Sequence, residues 1–148
     1  MQIAVVGGGV CSPDVAGAAR CLGRLIATRG HVLLCGGRGG VMEAACCGAR
    51  EAGGLTVGIL PGGREQGNLC LDIAIATAMG HARNAIIVNS ADAVIALPGE
   101  MGTLSEIALA LKMGRPVISL ASWDIPGALR ASSPEQAVEM LETINGRT

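Results

Sequence analysis

Phenylalanine and tyrosine are missing from this sequence altogether, and Trp123 is its one tryptophan. Since half of the residues are nonetheless hydrophobic, the core must be built from Ala, Val, Ile, Leu, Met and Cys, and such small side chains imply closely packed helices and sheet. Runs of like charge are also missing. Twelve acidic and 11 basic residues are spread along the chain for a net charge of −1, which gives no support to nucleic-acid or membrane-surface binding. Long apolar runs are absent too: Ile3-Ala4-Val5-Val6 and Ala85-Ile86-Ile87-Val88 are far too short to span a bilayer. The first strand reads as starting right after Met1, and a cytoplasmic protein is expected. Among the six cysteines there is no Cys-x-x-Cys pair, and the adjacent Cys46 and Cys47 point about 100° apart on a helix. Neither a metal site nor a disulfide framework is expected. Cysteine here reads as a small buried hydrophobe in a reducing compartment.

What is present is a repeating pattern. At 148 residues the chain has the commonest size of one domain, and 1–148 reads as a single nucleotide-binding unit. Ile3 to Val6 is a buried strand, followed by Gly7-Gly8-Gly9. Ser12-Pro13-Asp14 then supplies an N-cap, a first-turn proline and a first-turn acid for a helix that stops at Gly30. His31 to Cys35 is the second strand. Gly36-Gly37-Arg38-Gly39-Gly40 leads into a helix from about Val41 to Ala52, and Leu55 to Leu60 is a third strand. Strand, glycine loop, helix, strand is the βαβ unit. Further strands are predicted at Asp72 to Ala76, Ala93 to Leu97 and Val117 to Leu120. Helices are predicted at His81 to Ala91, from Thr103 to about Met113, and from Ser133-Pro134 to about Ile144. Continuous apolar strands separated by helices imply a Rossmann-like α/β fold: a mostly parallel sheet of about six or seven strands with helices on both faces. Ligands of such sheets bind at the carboxyl ends of the strands. That rule brings the glycine loops at 7–9, 36–40 and 98–102 to one rim.

The first loop puts Gly8 and Gly9 near a ligand, but Ser12 stands where a dinucleotide fingerprint has its third glycine. No acid ends the second strand, because Cys35 runs straight into Gly36. A dehydrogenase therefore ranks below a site for a nucleotide fragment. In the second loop Arg38, flanked by Gly36 and Gly37, suits a phosphate or carboxylate, or is a surface arginine on a turn. The strongest feature is Pro98-Gly99-Glu100-Met101-Gly102-Thr103. Its glycines let backbone approach a ligand where a helix N-terminus presents free N–H groups and partial positive charge, which suits a phosphate. Thr103 adds a hydroxyl. Glu106 is either a carboxylate one turn into the site or, as Thr103-x-x-Glu106, the acid of a capping box. Arg83 is a helix-surface cation or reaches the same cleft.

Pro98 to Glu106, together with Gly80-His81-Ala82-Arg83-Asn84 and Gly36 to Met42, resembles the signature of the Lonely Guy proteins, long labelled lysine decarboxylases. The resemblance spans roughly residues 1–120 and points to a short bacterial branch related to molybdenum cofactor carrier proteins. It implies a phosphoribohydrolase that releases free base and ribose 5-phosphate from a nucleoside 5′-monophosphate. Pro98, Gly99, Gly102 and Thr103 would hold the phosphate, and Arg83 and Glu106 would be the catalytic pair, with Glu106 facing the ribose. It also implies a homodimer with sites near the interface. No metal or resident cofactor is implied; a carrier would hold molybdenum cofactor as its ligand. Two departures weaken the hydrolase reading and leave binding without turnover as its alternative: Glu100 occupies a signature glycine position, and Asn84 replaces the lysine that usually follows the arginine. The decarboxylase label fails on chemistry, since the one lysine, Lys112, lies far from the rim while pyridoxal phosphate needs a Schiff-base lysine.

Overall fold

A computed structural model describes residues 1–146. The order is β1 (Gln2–Val6), α1 (Pro13–Thr28), β2 (Val32–Cys35), α2 (Val41–Glu51), β3 (Thr56–Leu60), β4 (Ile73–Ala76), α3 (Arg83–Ser90), β5 (Ala93–Ala96), α4 (Met101–Lys112), β6 (Val117–Leu120), β7 (Leu129–Ala131) and α5 (Pro134–Asn145). The seven strands form one sheet in the order β4-β3-β2-β1-β5-β6-β7, and every pairing is parallel. This is the expected Rossmann-like α/β fold. The seventh strand, three residues long and mostly exposed, was too short to leave a periodic signal.

Alternation along β1 explains the two layers of core. Ile3 and Val5 point into the layer under α1, α2 and α5, while Ala4 and Val6 point into the layer under α3 and α4, as the period of two demands. Without aromatics, the helices close up on glycine. A Cβ on Gly23 of α1 would come within 1.9 Å of the Ala45 carbonyl oxygen, and one on Gly48 of α2 within 2.0 Å of the Arg20 carbonyl oxygen. The two backbones therefore touch where larger side chains would hold them apart.

The caps follow the sequence. Ser12 accepts from the Val15 N–H at 3.3 Å, and Ser133 accepts from the Gln136 N–H at 3.1 Å. Two expectations need correction. Cys47 and Cys70 are joined in a disulfide, with Cα atoms 5.0 Å apart. The reason lies in the vicinal pair itself: Cys46 turns into the core, its sulfur 3.4 Å from that of Cys35, so Cys47 is turned outward to the 67–72 loop. The helix expected from His81 is a 3-10 turn over Gly80–Ala82 that becomes α-helical only at Arg83. Within Ala85 to Val88, Ile87 and Val88 are fully buried in the core. Among the described residues no helix is long and apolar enough to cross a membrane.

Candidate functional site

The chain leaves β1 for α1 on one face of the sheet and leaves β5 for α4 on the other. Because β1 and β5 are neighbours, their carboxyl ends part and open a crevice, the switch point at which ligands of open α/β sheets bind. A cavity of about 380 Å³ lies there.

Gly8 is the hub of its floor. Its N–H donates to the Pro98 carbonyl at 2.9 Å, and its carbonyl accepts from the Val41 N–H at 3.0 Å. One residue thus ties the loop after β1 to the loops after β5 and β2. The two glycines of the third loop play opposite parts. A Cβ on Gly99 would meet the Thr103 hydroxyl at 2.0 Å and the Gly8 nitrogen at 2.9 Å, whereas one on Gly102 meets nothing within 4 Å. Gly99 is a packing requirement; Gly102 opens onto the cleft.

Helix α4 starts at Met101 with Glu100 as its N-cap, and no side chain caps it. The capping-box reading of Thr103 and Glu106 is therefore corrected: both lie inside the helix, and both are buried. Glu100 keeps an exposed side chain, while its carbonyl accepts from Trp123 Nε1 at 3.3 Å. The first-turn N–H groups of α4 have no intrahelical acceptor, and Gly102 leaves the space above them clear.

The opposite wall is Arg83. It is buried, and all three of its nitrogens are engaged: Nε donates to the Ile59 carbonyl at 2.9 Å, one terminal nitrogen to Asn84 Oδ1, and the other to the Gly36 carbonyl at 3.4 Å. Asn84 passes the restraint on, its Nδ2 donating to Ser105 Oγ at 3.1 Å, which donates to the Gly102 carbonyl at 2.6 Å. Arg83 is thus wired through Asn84 to the start of α4. Burial lowers its pKa from the usual guanidinium range, with the Glu106 carboxylate opposing that shift and the Arg38 charge adding to it. Glu106 makes no hydrogen bond or ion pair among the described residues. Burial pushes its carboxyl up to about 8, with Arg83 pulling the other way. At neutral pH it largely keeps its proton.

Of the residues singled out by sequence, Gly8, Gly9, Gly36, Arg83, Asn84, Gly99, Glu100, Gly102, Thr103 and Glu106 line this one cleft. Gly37, Pro98 and Arg38 do not. Gly37, at φ +77°, packs on Leu60, Pro98 holds Gly8, and Arg38 lines an adjoining cavity. Val10, Met42 and His81 line the cleft as well and had gone unremarked as site residues. His81 could have been found from its place two residues before Arg83 at a helix start; Val10 and Met42 carry no signal distinct from core.

These features define a Rossmann-like α/β domain with a cleft at the β1/β5 switch point. The chain belongs to the SLOG cluster4 family, whose model matches residues 1–146. It is 51% identical over 93% of its length to an uncharacterized protein of Archaeoglobus fulgidus, covering 92% of that protein. It is 35% identical over 74% of its length to the cytokinin riboside 5′-monophosphate phosphoribohydrolase of Mycobacterium tuberculosis, spanning 64% of that enzyme. Among solved structures it is similar to the molybdenum cofactor binding protein of Rippkaea orientalis, at 43% identity, a TM-score of 0.89, and 97% and 95% coverage of the two chains. It is also similar to the Moco carrier protein of Chlamydomonas reinhardtii, at 34% identity, a TM-score of 0.91, and 99% and 98% coverage.

Proposed function

We propose that this protein binds a phosphorylated ligand of the molybdenum-cofactor type and holds it unmodified. The observation behind this is the state of Arg83. Its Nε, and each of its two terminal nitrogens, already donate to Ile59, Asn84 and Gly36, so it is a fixed wall. Rigid walls favour retention, because less side-chain entropy is lost on binding. The open first turn of α4 at Gly102 suits the ligand's terminal phosphate, with unpaired N–H groups and the positive end of the helix dipole aimed at it. A cavity of about 380 Å³ is of the size that takes one small molecule, roughly 300–1,000 Å³. Similarity over nearly the whole chain to two molybdenum cofactor binding proteins supports the same assignment.

A second reading, a nucleotide phosphoribohydrolase, is favoured by Glu106. A carboxyl pushed up to about 8 holds a proton at neutral pH that it can give to the base nitrogen as the N-glycosidic bond breaks. The carboxylate left behind can take the proton of the water that adds to the ribosyl carbon, giving ribose 5-phosphate. The match to the mycobacterial enzyme supports it. One experiment separates the two. The purified protein is incubated in turn with molybdopterin and with a panel of nucleoside 5′-monophosphates, then examined by native mass spectrometry and for free base. The carrier gives a retained adduct of intact molybdopterin and no base. Release of base that Glu106→Gln abolishes establishes the hydrolase instead, and absence of any adduct overturns the carrier.

A further inference from the structure

Arg38 lines a second cavity, of about 300 Å³, beside the main cleft. The two share a wall, because His81 and Arg83 line both. The second cavity collects Arg38, Gln66, His81 and Arg83 around Pro61 and Gly62, and no carboxylate lines it. The Arg38 guanidinium has no hydrogen bond and no ion pair among the described residues. Glu43 is the acid closest along this loop, 3.9 Å from where a Gly39 Cβ would stand, yet it makes no ion pair with Arg38. Arg38 and Arg83 therefore line one cavity that no carboxylate lines, and the Arg38 charge adds, after burial, to the lowering of the Arg83 pKa. A cavity lined by a guanidinium without an acceptor and by no carboxylate suits an oxyanion, which a guanidinium meets with paired N–H donors.

The position of Arg38 is also fixed. Asn68 donates from Nδ2 to the Arg38 carbonyl at 2.9 Å, and the Asn68 N–H donates to the Gly37 carbonyl at 2.9 Å. Asn68 sits two residues before Cys70, which the disulfide ties to α2. An arginine held at its backbone, its guanidinium without a protein acceptor and the residue lining a polar cavity, differs from a surface arginine on a mobile turn.

We propose that this cavity is an oxyanion subsite, with Arg38 as its main cation, Gln66 and His81 as further donors, and Arg83 as the wall shared with the main cleft. It deepens the proposed function, which supplies the first phosphate position at Gly102: the ligand class becomes one with an anionic group at each of two ends. A simple nucleoside monophosphate would leave the Arg38 end unsatisfied.

The test uses inorganic phosphate as the probe and NMR of the 15N-labelled protein as the readout. Phosphate is titrated while the Gly102 and Thr103 amides, the Arg38 Nε–H group and the His81 ring are followed. Two saturable responses are expected, one at Gly102–Thr103 and one at Arg38–His81, and Arg38→Gln should weaken the His81 response at least tenfold. A silent Arg38 and His81 with a responding Gly102 overturns the subsite and leaves the proposed function standing. A responding Arg38 with a silent Gly102 keeps the subsite and removes the phosphate position it was to extend. Acetate, titrated in parallel, separates the sources: an Arg38 response as strong as that to phosphate assigns the subsite to carboxylates, and a weak one to phosphoryl groups.

Discussion

The two walls of the cleft use their polar groups in opposite ways. On the α4 wall the first-turn N–H groups are uncapped and the space above Gly102 is clear. On the Arg83 wall every guanidinium nitrogen already has a protein acceptor. One wall keeps its hydrogen-bonding capacity for a ligand; the other uses its capacity to stay rigid. The chain Arg83, Asn84, Ser105, Gly102 carbonyl joins the two, so the stiffness of one wall positions the donors of the other.

The largest expected effect comes from Glu106. Its carboxyl titrates near 8 in the folded protein against an ordinary 4.5, so between those values the native state binds more protons than the unfolded one and stability falls as pH rises. At about 1.36 kcal/mol per unit, the wild type should lose on the order of 4 kcal/mol between pH 4.5 and 8. Glu106→Gln should be free of that loss, and urea unfolding across this range measures it. An equal pH dependence in both proteins would mean that the buried acid is ionised throughout. Next is the Cys47–Cys70 disulfide, which closes a separation of 23 residues and supports the Arg38 side through Asn68. Its reduction should lower stability by about 3 kcal/mol, read as a denaturant midpoint with and without reductant.

Gly99→Ala and Gly102→Ala sharpen the contrast within one loop. The added methyl at Gly99 collides with Thr103 and Gly8 and should destabilise by about 1–3 kcal/mol. Asn84→Ala should cost about 1–2 kcal/mol by freeing Arg83 and Ser105 together, and it should weaken ligand binding without adding any clash. The smallest effect on stability, and in the opposite direction, belongs to Gly102→Ala. An unobstructed alanine in a helix replaces glycine with a gain of up to about 1 kcal/mol, while its methyl enters the cleft.

Much of this was legible from residue order alone. The glycine loops, the Ser12 and Ser133 caps and the continuous apolar strands dictate a parallel sheet with its ligand rim on one side. What stayed hidden depended on facing. Thr103 and Glu106 satisfy the spacing of a capping box, but the helix starts three residues earlier than that spacing assumes, with Glu100 as its N-cap, and both side chains turn inward. Cys46 and Cys47 are adjacent in sequence, yet their divergence on α2 sends one to the core and the other to a disulfide that no spacing rule would pick. Arg38 sits in a loop like the others, and only the side on which Arg83 closes the cleft decides that it faces a separate cavity.

The central claim is that the α4 wall is the ligand's anchor, and Gly102→Ala tests it most directly. Calorimetric titration of the wild type and the variant with one phosphorylated ligand, alongside their unfolding midpoints, should show at least a tenfold loss of affinity in a variant no less stable than the wild type. Unchanged affinity in the stable variant would contradict the claim and move the anchor elsewhere in the cleft.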